Sequence, residues 1–440
     1  MSTDVILGEG NGARLAAHPL RAAVLGEVHA RPFTPIETPR RVLHFAFETT
    51  AERGEADRAA LAAFCAARGL IGPQPADKQH RVLIGATALR WEQHSEFTTY
   101  TWELPSETVG DGAPFHPVAS ALASPMGLVP QPGPVLVAID LHLLHDAERK
   151  IVPERLFDRA SLAAADNSDG TALYATDFKA DPSGFVRILI IDRKLGPERA
   201  GALTQRVLET ETYRTLALLG LPEAQRLAPA VRRIEQRLAE VTEEMGHAQG
   251  LEANHRLLNE LTALASELEA GAAASQFRFG ASRAYEEIVQ LRLQTIGERK
   301  VGGLPTWTSF LARRMAPAIR TCATLEGRQA NLADKLARAA NLLRTRVDVE
   351  LESQNRDLLT SMNERTRLQL MLQATVEGLS VAAISYYVIG LFGYLVKGLH
   401  DSELVQINPT LVTGLFVPVA VVLVWWTVRR IRKRHIRGVG

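Results

Sequence analysis

The chain has 440 residues, 22% of them charged and 46% apolar, which excludes both a disordered chain and one small core and predicts two or three structural units. Its net charge is +1, so it has no molecule-wide basic field and nucleic acid is not an expected partner. The two cysteines, Cys65 and Cys322, are far apart without metal-ligand spacing and predict reduced thiols.

Residues 1–39 form an N-terminal arm with no cationic stretch leading a long apolar one, so they do not read as a secretory signal. Gly8–Ala13 has GxGxxA spacing after a four-residue apolar lead-in. No acid follows at the distance a dinucleotide loop needs, and the segment reads as a tail. Pro32 and Pro35 disfavour a helix in the arm. In an extended strand Glu27, His29 and Arg31 share one face. They form either a site for a small ligand or acidic protein partner, or an internal ion pair that orders the arm.

Residues 40–196 alternate between strand and helix patterns and predict an α/β sheet domain. Arg41–Phe47 is a strand, and a helix over Ala51–Arg68 closes at Gly69. Residues 81–93 and 96–104 pair around the turn His94-Ser95, residues 134–144 and 185–195 read as central strands, and 171–180 ends in the turn DPSG. The stretch DLHLLHD offers His142 and His145 as metal ligands beside Asp140 and Asp146. A strand turns positions 142 and 145 to opposite faces, however, which makes strand-end polar residues the better reading. AADNSDG has Thr176 where a calcium loop needs its bidentate Glu, so it reads as a turn.

From Pro197 every strong pattern is helical. Helices are predicted at 198–219, 223–247, 251–271 and 276–299, and VGGLP then breaks the chain. Beyond Pro317 one helix runs to residue 396, roughly 120 Å at 1.5 Å per residue. Its apolar stripe passes through Leu332, Leu336, Ala339, Leu343, Val347, Leu351, Leu358 and Met362, with Gln354 the single polar interruption. The domain boundaries are thus 197–374 for the helical bundle and stalk, which predicts a homo-oligomer with coiled-coil-like stalk contacts.

Two uncharged runs follow, Gly378–Val396 and Leu404–Val428. They predict transmembrane helices at 375–396 and 408–428, with Trp425 and Trp426 at the headgroups. The basic tail, residues 429–440, carries Arg429, Arg430, Arg432, Lys433, Arg434 and Arg437 and no acid. It predicts a grip on membrane lipid and cytoplasmic N- and C-termini at a bacterial inner membrane. On the first membrane helix Ala383, Tyr387, Gly390 and Tyr394 make one stripe, with Glu377 at its cytosolic entrance. Small and polar positions there serve either helix packing or a pore lining.

Two resemblances sharpen these expectations. His18-Pro19-Leu20-Arg21, the stretch Glu27-x-His29-Ala30-Arg31-Pro32-Phe33 and VEGLSVAAISYYVIGLFGYL resemble a bacterial family of uncharacterised membrane-anchored proteins, a domain of unknown function. That resemblance covers almost the whole chain and implies two membrane passes but no activity. The architecture is also similar to CorA-type magnesium channels. Met362-Asn363-Glu364 and Gly390-Leu391-Phe392-Gly393 stand near that family's motif positions, but Tyr394-Leu395 replaces its ion-holding Met-Asn. The expected fold class is therefore an α+β membrane protein: a mixed sheet domain, a helical stalk and two C-terminal membrane helices. No P-loop, GxSxG or HExxH occurs, so a non-enzymatic scaffold or sensor without cofactor is expected. A CorA-like cation channel, with a divalent cation, is the alternative.

Overall fold

The computed structural model describes residues 33–75, 77–106, 114–116, 119, 124–146, 151–401 and 408–436, together with 6–7, 15–16, 18, 20–21 and 24–25. They form two compact units, residues 1–240 with 262–337 and residues 241–261 with 338–440.

The first unit is built on a sheet of β1 (Arg40–Glu48), β2 (Gln79–Ile84), β3 (Thr87–Gln93), β4 (Phe97–Pro105), β5 (Val135–His145), β6 (Ala163–Asp166), β7 (Ala172–Ala180), β8 (Val186–Asp192) and the two-residue β9 (Arg299–Lys300). The spatial order is β9-β6-β7-β8-β5-β1-β4-β3-β2. Neighbours run antiparallel except β5 and β8, which are parallel with Ile188 beside Leu141. The fold is α+β, and its sheet is mixed.

The central strands are apolar on both faces, so both must be covered. On β1, Val42 and Ala46 face one core and Leu43, Phe45 and Phe47 the other. The first core packs against α2 (Pro197–Leu218), α4 (Leu251–Ile296) and α5 (Trp307–Arg314), through Val207, Leu293 and Trp307 among others. On the second face α1 (Ala51–Ala66) covers Phe45, Trp91 and Tyr100. Asp57 of α1 accepts hydrogen bonds there from the Trp91 indole (2.7 Å) and the Tyr100 hydroxyl (2.6 Å). Burial pushes the Asp57 carboxyl up, against the pull of those two bonds, and in exchange both buried donors are satisfied.

Three differences from the sequence reading have local causes. Residues 81–93 are not one strand: Gly85, at φ +64°, turns the chain between β2 and β3, as a tight hairpin requires. The helices predicted at 251–271 and 276–299 are the single helix α4, because the intervening AGAAAS is rich in alanine, the best helix former. The helical half also returns a strand to the sheet, β9, beside β6.

The second unit contains the end of α3 (Gly220–His247), the start of α4, the later part of α6 (Ala316–Asp401) and α7 (Pro409–Ile436). Gly250, at φ +88°, closes the α3–α4 turn. That hairpin covers α6 over a short stretch: Arg346 donates to the Met245 carbonyl, and Asn254 donates to Glu350 at 3.2 Å. Ala339, Leu343 and Val347 are accordingly buried, and so, within the first unit, are Leu332 and Leu336. Cover then stops. Leu351 is 40% exposed and Leu358 62%, so one continuous apolar stripe has a covered and an uncovered part. Nearer the chain's end, α6 and α7 pack through Phe392 stacked on Phe416 (3.8 Å) and through buried Ser385, Val396, Ala420 and Val424.

Gly201 of α2 is where the end of the arm, residues 34–36, meets the first core. A Cβ there would lie 1.9 Å from the Thr34 carbonyl oxygen, and the Ile36 amide donates to the Pro197 carbonyl at 3.0 Å. Gly201→Ala is expected to destabilise the protein by about 1–3 kcal/mol, as overpacking does. Chemical unfolding in detergent measures it, and an unchanged midpoint would contradict this close approach.

Candidate functional site

Glu27, His29 and Arg31 lie outside the described residues, as do the GxGxxA segment and Arg437. His142 and His145 do not converge. His142 is buried on the β5 face opposite α2, with Nε2 3.4 Å from Asp140 Oδ1. His145 is half exposed, with Nε2 3.0 Å from the Thr38 carbonyl. Among the described residues no group of His, Cys, Asp and Glu is arranged to hold a metal.

Sequence reading missed what surrounds His142. Arg41 of β1 grips Asp140 of β5 with both ends of its guanidinium, at 2.9 and 2.8 Å. Burial alone would raise the Asp140 carboxyl, but the bonds from His142 and Arg41 hold it below the usual carboxylate range. The pair sits in cross-strand register, Arg41 opposite His142 and Leu43 opposite Asp140. It is a buried ion pair with each carboxylate oxygen bonded by the guanidinium, a device that suits fixing strand register. Near it the Phe115 ring, at φ +68°, packs on His142 at 4.7 Å.

Across the sheet, buried His44 bridges Thr101 Oγ1 (2.8 Å) on β4 and Thr212 Oγ1 (3.1 Å) on α2. Burial, then the nearby Arg90 charge, pull its pKa down to about 3, so it is neutral in the fold.

Two clefts open on the first unit. One, of about 330 Å³, includes Asp169, Glu198, Arg199 and Arg206. Its charges oppose one another, and Arg199 donates to Asp169 at 2.6 Å. The other, of about 520 Å³, lies where the β3–β4 turn meets the start of α1 and the flanks of α2 and α4. Among the described residues its lining includes Arg58, Lys78, His94, Phe97, Tyr213 and Tyr285, and no carboxylate. The turn is held against α1 by Gln93, whose Oε1 accepts from Arg58 Nη1 at 3.1 Å. Gly54 makes room for it: a Cβ there would fall 2.1 Å from Gln93 Nε2. These lining residues come from five separated segments, and the one sequence signal was the hairpin turn His94-Ser95.

In the second unit the predicted stripe of α6 is turned away from α7. Tyr387 is 70% exposed and Tyr394 80%, and Ala383 and Gly390 are exposed with them, while Glu377 is half-buried. The α6–α7 contact uses Ser385, Phe392 and Val396 instead. At the end of α7, Arg429 lies over the Trp425 ring and Arg430 over the Trp426 ring, each 4.9 Å from the centroid. Arg432, Lys433 and Arg434 continue the same helix.

The fold and these surfaces define an α+β protein with two helices long and apolar enough to cross a membrane. The chain belongs to the family described as "Protein of unknown function (DUF3422)", whose model matches residues 16–435. No curated protein matches it.

The bridge made by His44 gives the fold a pH dependence. In the unfolded chain His44 takes up a proton near its ordinary pKa of about 6.5, whereas in the fold it does so only near 3. The unfolded state therefore binds the extra proton between those values, and stability falls as pH drops from about 6.5 to about 3, by at most about 1.4 kcal/mol per pH unit. His44→Gln is expected to flatten that part of the unfolding-versus-pH curve, and an unaltered slope would reject the assignment.

Proposed function

We propose that the protein is a two-pass inner-membrane protein, a non-enzymatic scaffold or sensor whose sheet domain and both termini are cytoplasmic and which assembles through α6. The observation that carries this is the bareness of the apolar helix ends. Leu379, Tyr386, Leu391, Leu415 and Leu423 are each 60% exposed or more. Leaving such side chains in water costs about 1.5–3 kcal/mol apiece, and lipid removes that cost without requiring a protein partner.

The paired Trp-Arg contacts at the end of α7 suit a headgroup boundary, where the ring meets the acyl region and the guanidinium the phosphates. The run of arginines and lysine after it supports a cytoplasmic tail, and two crossings then return the sheet domain to the same side. Assembly is supported by the α6 stripe between Leu351 and Leu372. Leu358, Met362, Leu368 and Leu372 are exposed, yet Arg356, Asp357, Glu364, Arg365 and Arg367 among them suit water better than lipid. A second copy of α6 is the cover that buries the leucines and leaves the charges wet.

In right-side-out vesicles of a variant lacking native cysteines, Ser402→Cys is expected to react with an impermeant thiol reagent, and Arg437→Cys only after permeabilisation. Labelling of both from one side, or release of the intact chain by alkaline carbonate, would sink the topology. Met362→Cys is expected to form an interchain disulfide under mild oxidation in native membranes, and a strictly monomeric product would sink the assembly.

A further inference from the structure

We propose that the 520 Å³ cleft at the β3–β4 turn binds a phosphorylated compound carrying a planar ring, of the nucleotide class. The site lies wholly within the first unit and stands whether or not the chain crosses a membrane.

Its lining divides into two chemistries. On one side are Arg58, Lys78 and Ala51, the last being the first residue of α1. Two permanent cations and the positive end of a 16-residue helix favour an anion, and backbone amides of a first turn suit phosphate oxygens. On the other side are aromatic rings. Tyr213 and Tyr285 stack with centroids 5.5 Å apart and planes 24° apart, and both meet Phe97 edge-on, at 6.1 and 6.4 Å. His94 in turn stacks on Phe97 at 4.0 Å. The partly buried Tyr213–Tyr285 pair, its planes 24° apart and backed by buried Phe97, suits stacking of a flat ring.

Of the nearby acids, Glu52 in the first turn of α1 offsets part of the positive field, whereas Glu96 of the β3–β4 turn is paired elsewhere. Glu96 is bound by Arg278 at 2.9 Å and by the Tyr285 hydroxyl, which donates to it. The Glu96 charge is thereby offset, and its bonds orient the Tyr285 ring. Burial, reinforced by Glu96, pushes the Tyr285 phenol well above its usual range, so this ring stays neutral at physiological pH. The space suits the ligand: a cleft of this size falls within the range of about 300–1,000 Å³ found for small-molecule sites. A metal ion is a poorer occupant, because the described residues of the lining supply two cations and no carboxylate.

Calorimetry on the full chain in detergent micelles, with AMP, GMP, CMP and UMP as probes, tests the proposal. Adenosine and inorganic phosphate serve as the two halves of AMP. At least one nucleotide is expected to bind with a Kd below about 1 mM, and each half more weakly than AMP. Arg58→Gln and Lys78→Gln are each expected to weaken nucleotide binding roughly tenfold, the loss of one charge-assisted contact, Lys78→Gln at an unchanged unfolding temperature. Lys78 is exposed, so its variant decides the matter where Arg58→Gln unfolds. The proposal is overturned if no nucleotide binds at about 1 mM. It is equally overturned if adenosine or phosphate binds as tightly as AMP, or if Lys78→Gln binds as the native chain does.

Discussion

The central strands β1, β5 and β8 carry apolar side chains on both faces, and a sheet of that kind exists only where both faces are covered. Everything in the first unit follows from meeting that need. α2, α4 and α5 close one face, α1 and the segment around Phe157 the other. The polar groups that this buries are paired across elements rather than within them. Asp57 of α1 takes donors from β3 and β4, Arg41 of β1 holds Asp140 of β5, and His44 of β1 joins β4 to α2. Each pairing satisfies a group that would otherwise be stranded, and each pins the register or docking of the elements it joins.

The same need explains the second unit by its failure within one chain. The α3–α4 hairpin covers α6 as far as Val347, and from Leu351 onward the apolar stripe is bare. α7 covers a single face of the last turns of α6, through Phe392 and Val396, and leaves Tyr386, Tyr387 and Tyr394 outside. An unclosed apolar surface of this extent marks an interaction site. Its two parts differ in chemistry: the stretch between Leu351 and Leu372 is interleaved with charges, and the later one is uncharged. The proposed assembly rests on the first part and the proposed membrane contact on the second.

Much of this was legible from local pattern. The strands at Arg40–Glu48, Val135–His145 and Val186–Asp192 stand out as short apolar runs, α1 ends at the glycine that terminates it, and the long last helix shows as a proline-free periodic stripe. Errors came where local signals are ambiguous. Gly85 splits an apparent strand, because a single glycine serves either as a strand residue or as a turn. The alanine-rich centre of α4 carries no apolar period, yet its backbone preference is strongly helical. The His142–Asp140 pair was visible as a motif, but its partner Arg41 lies 99 residues away in the chain and only strand pairing brings it there.

By itself the sequence determined most of the long helices and the central strands, the two uncharged runs near residues 378–428, and the basic run after them. Each of these is encoded within a few turns or one strand, where periodicity and transfer energy act. Only the tertiary structure decided which part of the α6 stripe is covered, which face of its last turns α7 occupies, and that Arg58, Lys78, Tyr213 and Tyr285 line one cleft. Those are relations between distant residues, set by the order of strands and the docking of helices, and no window along the chain contains them.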